Sequence, residues 1–173
     1  MIYNLLDIGY LENDLTFILQ KIESIFDVRF ENNMILISPN IEIKSDAYFT
    51  TEENTKEFNS HIPTFKSIHR DMYAFIESLT RLKHGEFDKD DFEKKYPDFK
   101  EFRLLNNMFK HPEKKSHQIR FTKVVHLTQN QFSLLCNFHY PDADKNLMYS
   151  SFIILFFNIL IDLDAIQIRK TDN

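Results

Sequence analysis

The stretch Phe102-Arg103-Leu104-Leu105-Asn106-Asn107-Met108-Phe109-Lys110-His111 brings together several side chains that can bind or cleave a phosphodiester. At 100° per residue, Arg103, Asn107 and His111 fall within an arc of about 80° on one face of a helix. Asn106 and Lys110 lie just beside that arc. The opposite face is apolar and consists of Leu104, Leu105, Met108 and Phe109. The stretch therefore predicts a helix with one face in the core and a polar face that carries candidate functional groups.

The size and composition of the chain predict one domain. It has 173 residues, of which 43% are hydrophobic, and this is enough to bury a full core. We expect a single domain over residues 1–173, with an N-terminal helix and meander at 1–49 and a helical bundle with an inserted hairpin at 50–173. One cysteine, Cys136, precludes an internal disulfide, and no secretory leader is recognisable. We therefore expect a cytoplasmic protein without membrane association.

Glycine content and charge limit the classes of function. The two glycines, Gly9 and Gly85, are too few for a Gly-rich phosphate loop or a dinucleotide fingerprint. A net charge of −5 argues against nonspecific adhesion to nucleic acid through the whole surface. Residues 110–126 nevertheless hold five lysines and arginines, Lys114 and Lys115 among them, against one glutamate. This local basic segment is compatible with a polyanion site, and a solvated loop is the alternative.

Apolar periodicity predicts five helical segments and two small β regions. In chain order they are a helix at 11–26, an antiparallel meander at 28–43, a helix at 51–83 that Pro63 breaks or bends, a helical segment at 88–96, the helix of the opening stretch ended by Pro112, a hairpin at 119–138, and a nearly all-apolar helix at 147–166. Polar residues interrupt the last helix, which favours a buried central helix over a membrane span. The predicted fold class is α+β and mainly helical.

A helix that carries Arg, then Asn, then Lys-His, late in a helical bundle and before a final apolar helix, resembles the HEPN family of small bundles. The resemblance rests on residues 102–111 and, more loosely, on the helix order over residues 64–166. It implies a HEPN-like helical bundle to which the β elements are additions. It also implies membership in a group that includes metal-independent ribonucleases, toxins and defence components, and it implies a homodimer.

Cleavage of RNA by such a face needs an acid or base and positive charge on the phosphorane. His111 is the member that titrates near neutrality, Arg103 offers a fork of donors to phosphate oxygens, and Asn107 can orient either group. These three are the candidate catalytic residues. Because one histidine per chain does not easily serve as both acid and base, two copies would have to meet. The candidate substrate-binding residues are Asn106, Lys110, Lys114 and Lys115.

The alternative function is a noncatalytic module in which the same helix face contacts a second copy or a cognate protein partner. Any surface helix shows a polar and an apolar side, so the pattern alone leaves both functions open. We expect no cofactor and no metal site, because the seven histidines show no metal-binding spacing. Cys136 is expected to be a small core residue. Asp162 and Asp164 are expected to pair with Arg169 or Lys170.

Overall fold

A computed structural model describes residues 2–37, 51–111, 119–128 and 131–169, and of 51–62, 119–128, 131–135, 137 and 139 only the backbone. In chain order the elements are β1 (Ile2–Leu5), α1 (Glu12–Ile25), β2 (Val28–Glu31), β3 (Met34–Ile37), α2 (Thr51–His84), α3 (Lys89–Lys95), α4 (Phe99–Lys110), β4 (Ile119–Thr128), β5 (Gln131–His139), β6 (Asp144–Met148), α5 (Tyr149–Asp162) and β7 (Ile166–Ile168). This mixture of helices and antiparallel strands confirms the α+β fold class.

The first sheet has four antiparallel strands in the order β2-β3-β1-β7. The predicted β2–β3 hairpin is present, and its turn residues Asn32 and Asn33 have φ of 50° and 61°. Asparagine tolerates this left-handed backbone, which tight hairpins require. The third predicted strand of the meander, around Ile41 and Ile43, lies outside the described residues. Its expected place beside β3 is taken by β1, a strand that the sequence pattern did not predict.

The second sheet contains the predicted hairpin and one further strand, in the order β4-β5-β6. Ile119 pairs with Phe138 in β4–β5, and Leu135 pairs with Met148 in β5–β6. Because β6 holds the chain extended as far as Met148, the last helix begins at Tyr149 and not at Leu147. It also ends earlier than predicted, at Asp162, and the residues after it form β7. The prediction of a helix over 147–166 was wrong at both ends.

Helix α2 runs over 34 residues without a break. Pro63 lies inside it, so of the predicted break or bend at this proline, the break is absent. A proline removes a single N–H donor, and the intact turns on both sides keep the helix continuous. Gly85, with φ of +83°, follows the helix and donates its N–H to the carbonyl of Arg81. This left-handed glycine satisfies one of the final carbonyls and ends α2 where the sequence predicted.

Helix α5 forms the centre of the core. Its buried residues are Tyr149, Phe152, Ile153, Leu155, Phe156, Phe157, Ile159 and Leu160. Phe152 contacts the rings of Phe102 in α4, Phe138 in β5 and His69 in α2. The apolar sequence of α5 is therefore explained by contact with α2, α4 and the second sheet. Among the described residues, no helix has both the length and the apolarity needed to cross a bilayer.

Candidate functional site

Helix α4 turns a different face to the core from the one predicted. Its buried side chains are Phe99, Glu101, Phe102, Leu105, Asn106 and Phe109. Leu104 and Met108, expected in the core, are only half-buried. The reason lies one turn upstream of the opening stretch, where Phe99 packs against Tyr73 and Phe92 and rotates the buried face toward Asn106. The predicted polar face is therefore divided between the core and the surface.

Arg103 is held by a carboxylate of the neighbouring helix α3. Its Nε and Nη2 each lie 2.6 Å from Oε1 of Glu93. The two side chains are 20% and 23% exposed, so the ion pair is partly removed from water. Such a charge-assisted pair is stronger than one on the open surface. A phosphate could reach this guanidinium only by competing with Glu93.

Asn106 is wholly buried, which corrects its predicted place beside the polar face. Neither its amide nitrogen nor its amide oxygen has a hydrogen-bond partner among the described residues. A buried amide without a partner loses the hydrogen bonds that it makes to water in the unfolded chain. Asn106 therefore lowers the stability of the core, and its side chain is not positioned to contact a ligand at the surface.

Lys110 and His111 lie together at the exposed C-terminal end of α4. His111 is the residue that follows the last helical turn, and its N–H donates to the carbonyl of Asn107. Asn107 is half-buried on the same side. The predicted substrate-binding residues Lys114 and Lys115 lie outside the described residues. Lys110, His111 and Asn107 thus remain accessible together at one end of the helix.

Arg103 and His111 are separated along α4. Eight residues at 1.5 Å per residue place their Cα atoms about 12 Å apart along the helix axis. Arg103 lies toward the start of the helix, where Glu93 holds it, and His111 lies at the end. The structure therefore leaves Asn107, Lys110 and His111 accessible, whereas Arg103, which stands with Lys110 beside Tyr73, is neutralised by Glu93.

Lys66 of α2 lies next to this end of α4, and Arg70 follows it on the same face of α2. Lys66 places its Nζ 5.8 Å from the ring centroid of Phe109, while Lys110 places its Nζ 5.6 Å from the ring centroid of Tyr73. Each helix thus lays a lysine over an aromatic ring of the other. Arg70, one turn after Lys66, is exposed. We call Lys66, Arg70 and Lys110 the basic seam.

Sequence reasoning missed the α2 half of the basic seam. Lys66, Arg70 and Tyr73 share one face of α2 because spacings of four and seven residues return to within about 40° of the starting direction. That spacing was the available signal. It gave no indication that the face meets α4, since the pairing of the two helices is a tertiary contact.

His69 is a buried polar residue between α2, α4 and α5. Its Nε2 lies 2.7 Å from the carbonyl oxygen of Phe102, and its Nδ1 lies 3.2 Å from the hydroxyl of Tyr149. The carbonyl only accepts, so we assign the proton to Nε2 and the accepting role to Nδ1. Burial lowers the pKa of His69 to about 3, although the bond to Phe102 opposes the shift. The ring is therefore neutral and structural at neutral pH.

A second polar cluster joins α4 to the second sheet. The hydroxyl of Tyr140 donates to Oε1 of the buried Glu101 at 2.6 Å, and Lys145 Nζ lies 3.2 Å from Glu101 Oε2 and 3.0 Å from Asp98. The contact of Lys145 with Glu101 is an ion pair without hydrogen-bond geometry, since Oε2 has no hydrogen-bond partner. Burial, followed by the bond to Glu101, raises the pKa of Tyr140. This cluster fixes the sheet against the start of α4.

The remaining sequence predictions have mixed outcomes. Asp162 does not pair with Arg169 but accepts from the hydroxyl of Tyr96 at 2.6 Å and lies 2.9 Å from Lys95 Nζ. The reason is that α3 packs beside the end of α5. These two partners lower the pKa of Asp162. Cys136 is buried, as predicted, and burial raises the pKa of its thiol to about 12. It is therefore a core residue and not a nucleophile at neutral pH.

Within the part of the chain that the structure describes, no group of three or more His, Cys, Asp or Glu side chains is arranged to hold a metal ion. Comparison of the chain with protein-family models, with curated proteins and with solved structures gave no match. The candidate site therefore stands on its own geometry: an accessible imidazole and ammonium at the end of α4, flanked by two basic residues of α2.

Proposed function

We propose that this protein is a HEPN-like component of a bacterial defence or toxin system that binds RNA or a nucleotide in the cytoplasm. Its binding site is the C-terminal end of α4, where Lys110, His111 and Asn107 meet the solvent. The observation that carries the proposal is the exposure of Lys110, next in sequence to the exposed His111, with no carboxylate among the described residues within ion-pair distance of Lys110. Lys114 and Lys115 follow closely in sequence and add positive charge.

Charge at this end of the helix favours a phosphate. The protein has a net charge of −5, so a local group of cations without paired carboxylates contrasts with its overall charge. The negative end of the α4 dipole opposes an anion there, and the cations of both helices together outweigh this partial charge. Phosphate contacts of this kind supply most of the affinity of sequence-independent nucleic-acid binding.

The proposed reaction is metal-independent cleavage of RNA in a homodimer. His111 of one chain removes the proton of the 2′-hydroxyl as this oxygen attacks phosphorus. His111 of the second chain gives a proton to the leaving 5′-oxygen, and the products are a 2′,3′-cyclic phosphate and a free 5′-hydroxyl. Arg103 stabilises the phosphorane only after its guanidinium leaves Glu93. Because the ion pair with Glu93 holds Arg103, the geometry supports binding of RNA more directly than cleavage of RNA.

The direct test combines binding and cleavage. Fluorescence anisotropy with labelled RNA should show binding by the wild type that weakens in Lys110→Gln, and 5′-radiolabelled RNA should be cleaved by the wild type but not by His111→Ala. The control is Lys83→Gln, which removes the same charge at the exposed far end of α2. Equal cleavage by wild type and His111→Ala would remove the ribonuclease function. Absence of binding to both RNA and mononucleotides would remove the proposal as a whole.

The second candidate is a noncatalytic interaction module, in which the surface of α4 contacts a second copy or a cognate protein. Two observations favour it: Glu93 occupies Arg103, and Asn106 is inside the core. Two of the predicted functional side chains therefore have contacts or positions within the folded protein that keep them from binding a ligand. Multi-angle light scattering distinguishes the two functions, because this candidate expects Lys110→Asp to dissociate a dimer or partner complex while RNA has no effect.

A further inference from the structure

The basic seam combines residues from two helices that are far apart in sequence. Lys66 and Arg70 belong to α2 and Lys110 belongs to α4. The two lysines are fixed in reciprocal positions, each over an aromatic ring of the opposite helix, at 5.8 and 5.6 Å from the ring centroids. Their stems cover apolar surface while the ammonium groups stay at the edge of the helix interface.

The positive charges of the basic seam are also not paired with carboxylates. Other cations of the protein are paired, including Lys21 with Asp71, Arg81 with Glu77, and Arg103 with Glu93. Lys66, Arg70 and Lys110 have no carboxylate within ion-pair distance among the described residues. Lys66 and Arg70 are four residues apart on α2, where like charges repel. An arrangement that costs stability without a neutralising partner is one that an anionic ligand would relieve.

The length of the seam indicates the class of ligand. The ammonium group of Lys110 lies over the ring of Tyr73. Lys66 comes seven residues before Tyr73, which places it about 10 Å away along the axis of α2. This span exceeds what one phosphate group can bridge, and it suits successive phosphates of a strand. The groups are basic and the aromatic rings beneath them are covered, so the surface contacts a sugar-phosphate backbone and does not stack bases.

We propose that Lys66 and Arg70 bind backbone phosphates of single-stranded RNA together with Lys110, so that the ligand is a polynucleotide and not a mononucleotide. This inference rests on the proposed function and adds the α2 helix to its site. The bound RNA strand lies across the basic seam and continues toward His111. Arg103 is not part of the basic seam. It stays paired with Glu93 and does not contribute to the affinity for RNA.

The test uses the salt dependence of binding, measured by anisotropy with a fluorescein-labelled oligouridylate of twelve nucleotides. For a single strand, each neutralised phosphate contributes about −0.7 to the slope of log K against log salt. The double variant Lys66→Gln/Arg70→Gln should therefore flatten the slope by about 1.4. The control Lys83→Gln/Arg29→Gln removes one lysine and one arginine from exposed sites, the first about 25 Å from Lys66 along α2 and the second in β2, and should keep the wild-type slope.

The outcomes separate the inference from the proposed function. A slope that changes in Lys110→Gln but not in the α2 double variant overturns the inference and leaves binding at the end of α4 intact. Uridine triphosphate that binds as tightly as the oligonucleotide overturns the assignment of a polynucleotide. A wild-type protein that binds neither ligand overturns both proposals. If the α2 variant instead dissociates a dimer that RNA does not affect, the seam is an interface between copies, and the inference fails. Unchanged circular dichroism of each variant is the folding control.

Discussion

Arg103 binds Glu93 through two of its nitrogens, Nε and Nη2, each 2.6 Å from the same carboxylate oxygen. The pair joins α4 to α3 and stands beside Tyr73, whose pKa is raised by burial and by Glu77 and Glu93 and lowered by Arg103. In sequence Glu93 lies in an acidic segment with no evident link to the candidate helix. The structure thus makes a carboxylate from another helix the direct competitor of any phosphate at Arg103.

Glu93→Gln should release this guanidinium for phosphate. We expect tighter binding of the labelled oligouridylate and a salt slope steeper by about 0.7, the contribution of one added phosphate contact. Asp91→Asn is the matched control, because it removes the same charge from the same helix, where Asp91 pairs with the exposed Lys94. An identical gain in both variants would mean that overall charge, and not release of Arg103, controls the affinity.

Asn106→Leu should stabilise the protein. The amide is wholly buried and its two polar atoms are without partners among the described residues, so an apolar side chain of similar size removes a desolvation cost. The free energy of unfolding in urea should rise by about 1–3 kcal/mol. Asn107→Leu, at a half-buried neighbour, should change it by no more than about 0.5 kcal/mol. A loss of stability in Asn106→Leu would contradict this account of the buried amide.

His69 should make stability depend on pH. Its pKa in the folded protein is about 3, below the ordinary 6.5, so the unfolded chain binds more protons between these values. Stability is therefore full above about pH 6.5 and falls as the pH decreases toward 3. The slope from this group approaches about 1.4 kcal/mol per pH unit. Urea unfolding at several pH values should show a shallower dependence for His69→Gln than for the wild type.

The exposed His84 provides the control for this measurement. Carboxylates that titrate in the same range contribute equally to wild type and variants, so the difference between curves isolates the buried imidazole. His84→Gln should retain the wild-type curve. Parallel curves for wild type and His69→Gln would show that the buried ring does not control the acid sensitivity.

Tyr140→Phe should destabilise the protein by withdrawing a hydrogen bond from a buried charge. The Tyr140 hydroxyl donates to Glu101 at 2.6 Å, and the Glu101 side chain is 5% exposed. Leaving a buried carboxylate oxygen without its donor costs about 1–3 kcal/mol of unfolding free energy. Tyr10 is 74% exposed, so Tyr10→Phe should be neutral in the same thermal or urea experiment. Equal stability of both variants would contradict this account of the bond between Tyr140 and Glu101.

The sequence predicted the regular elements with strong local patterns. Helix α1, the helix around Phe65 to Leu79, α4 and the β4–β5 hairpin all appear near their predicted positions. These segments are long enough for a 3.6-residue or two-residue period to be visible. Strands β1, β6 and β7 have three to five residues and were not predicted. The equally short β2 and β3 were predicted because the Asn32-Asn33 turn joins them. No local pattern shows that β1 pairs with β7, because these two strands lie at opposite ends of the chain.

The sequence by itself determined that α4 is a helix and that its end carries a lysine and a histidine, because both follow from local spacing. Only the tertiary structure decided which of its residues are accessible. The packing of Phe99 rotated Asn106 into the core, α3 supplied Glu93 to Arg103, and α2 placed Lys66 over Phe109. The physical reason is that periodicity fixes the relative directions of side chains on one helix. The direction that faces the core depends on neighbours distant in sequence.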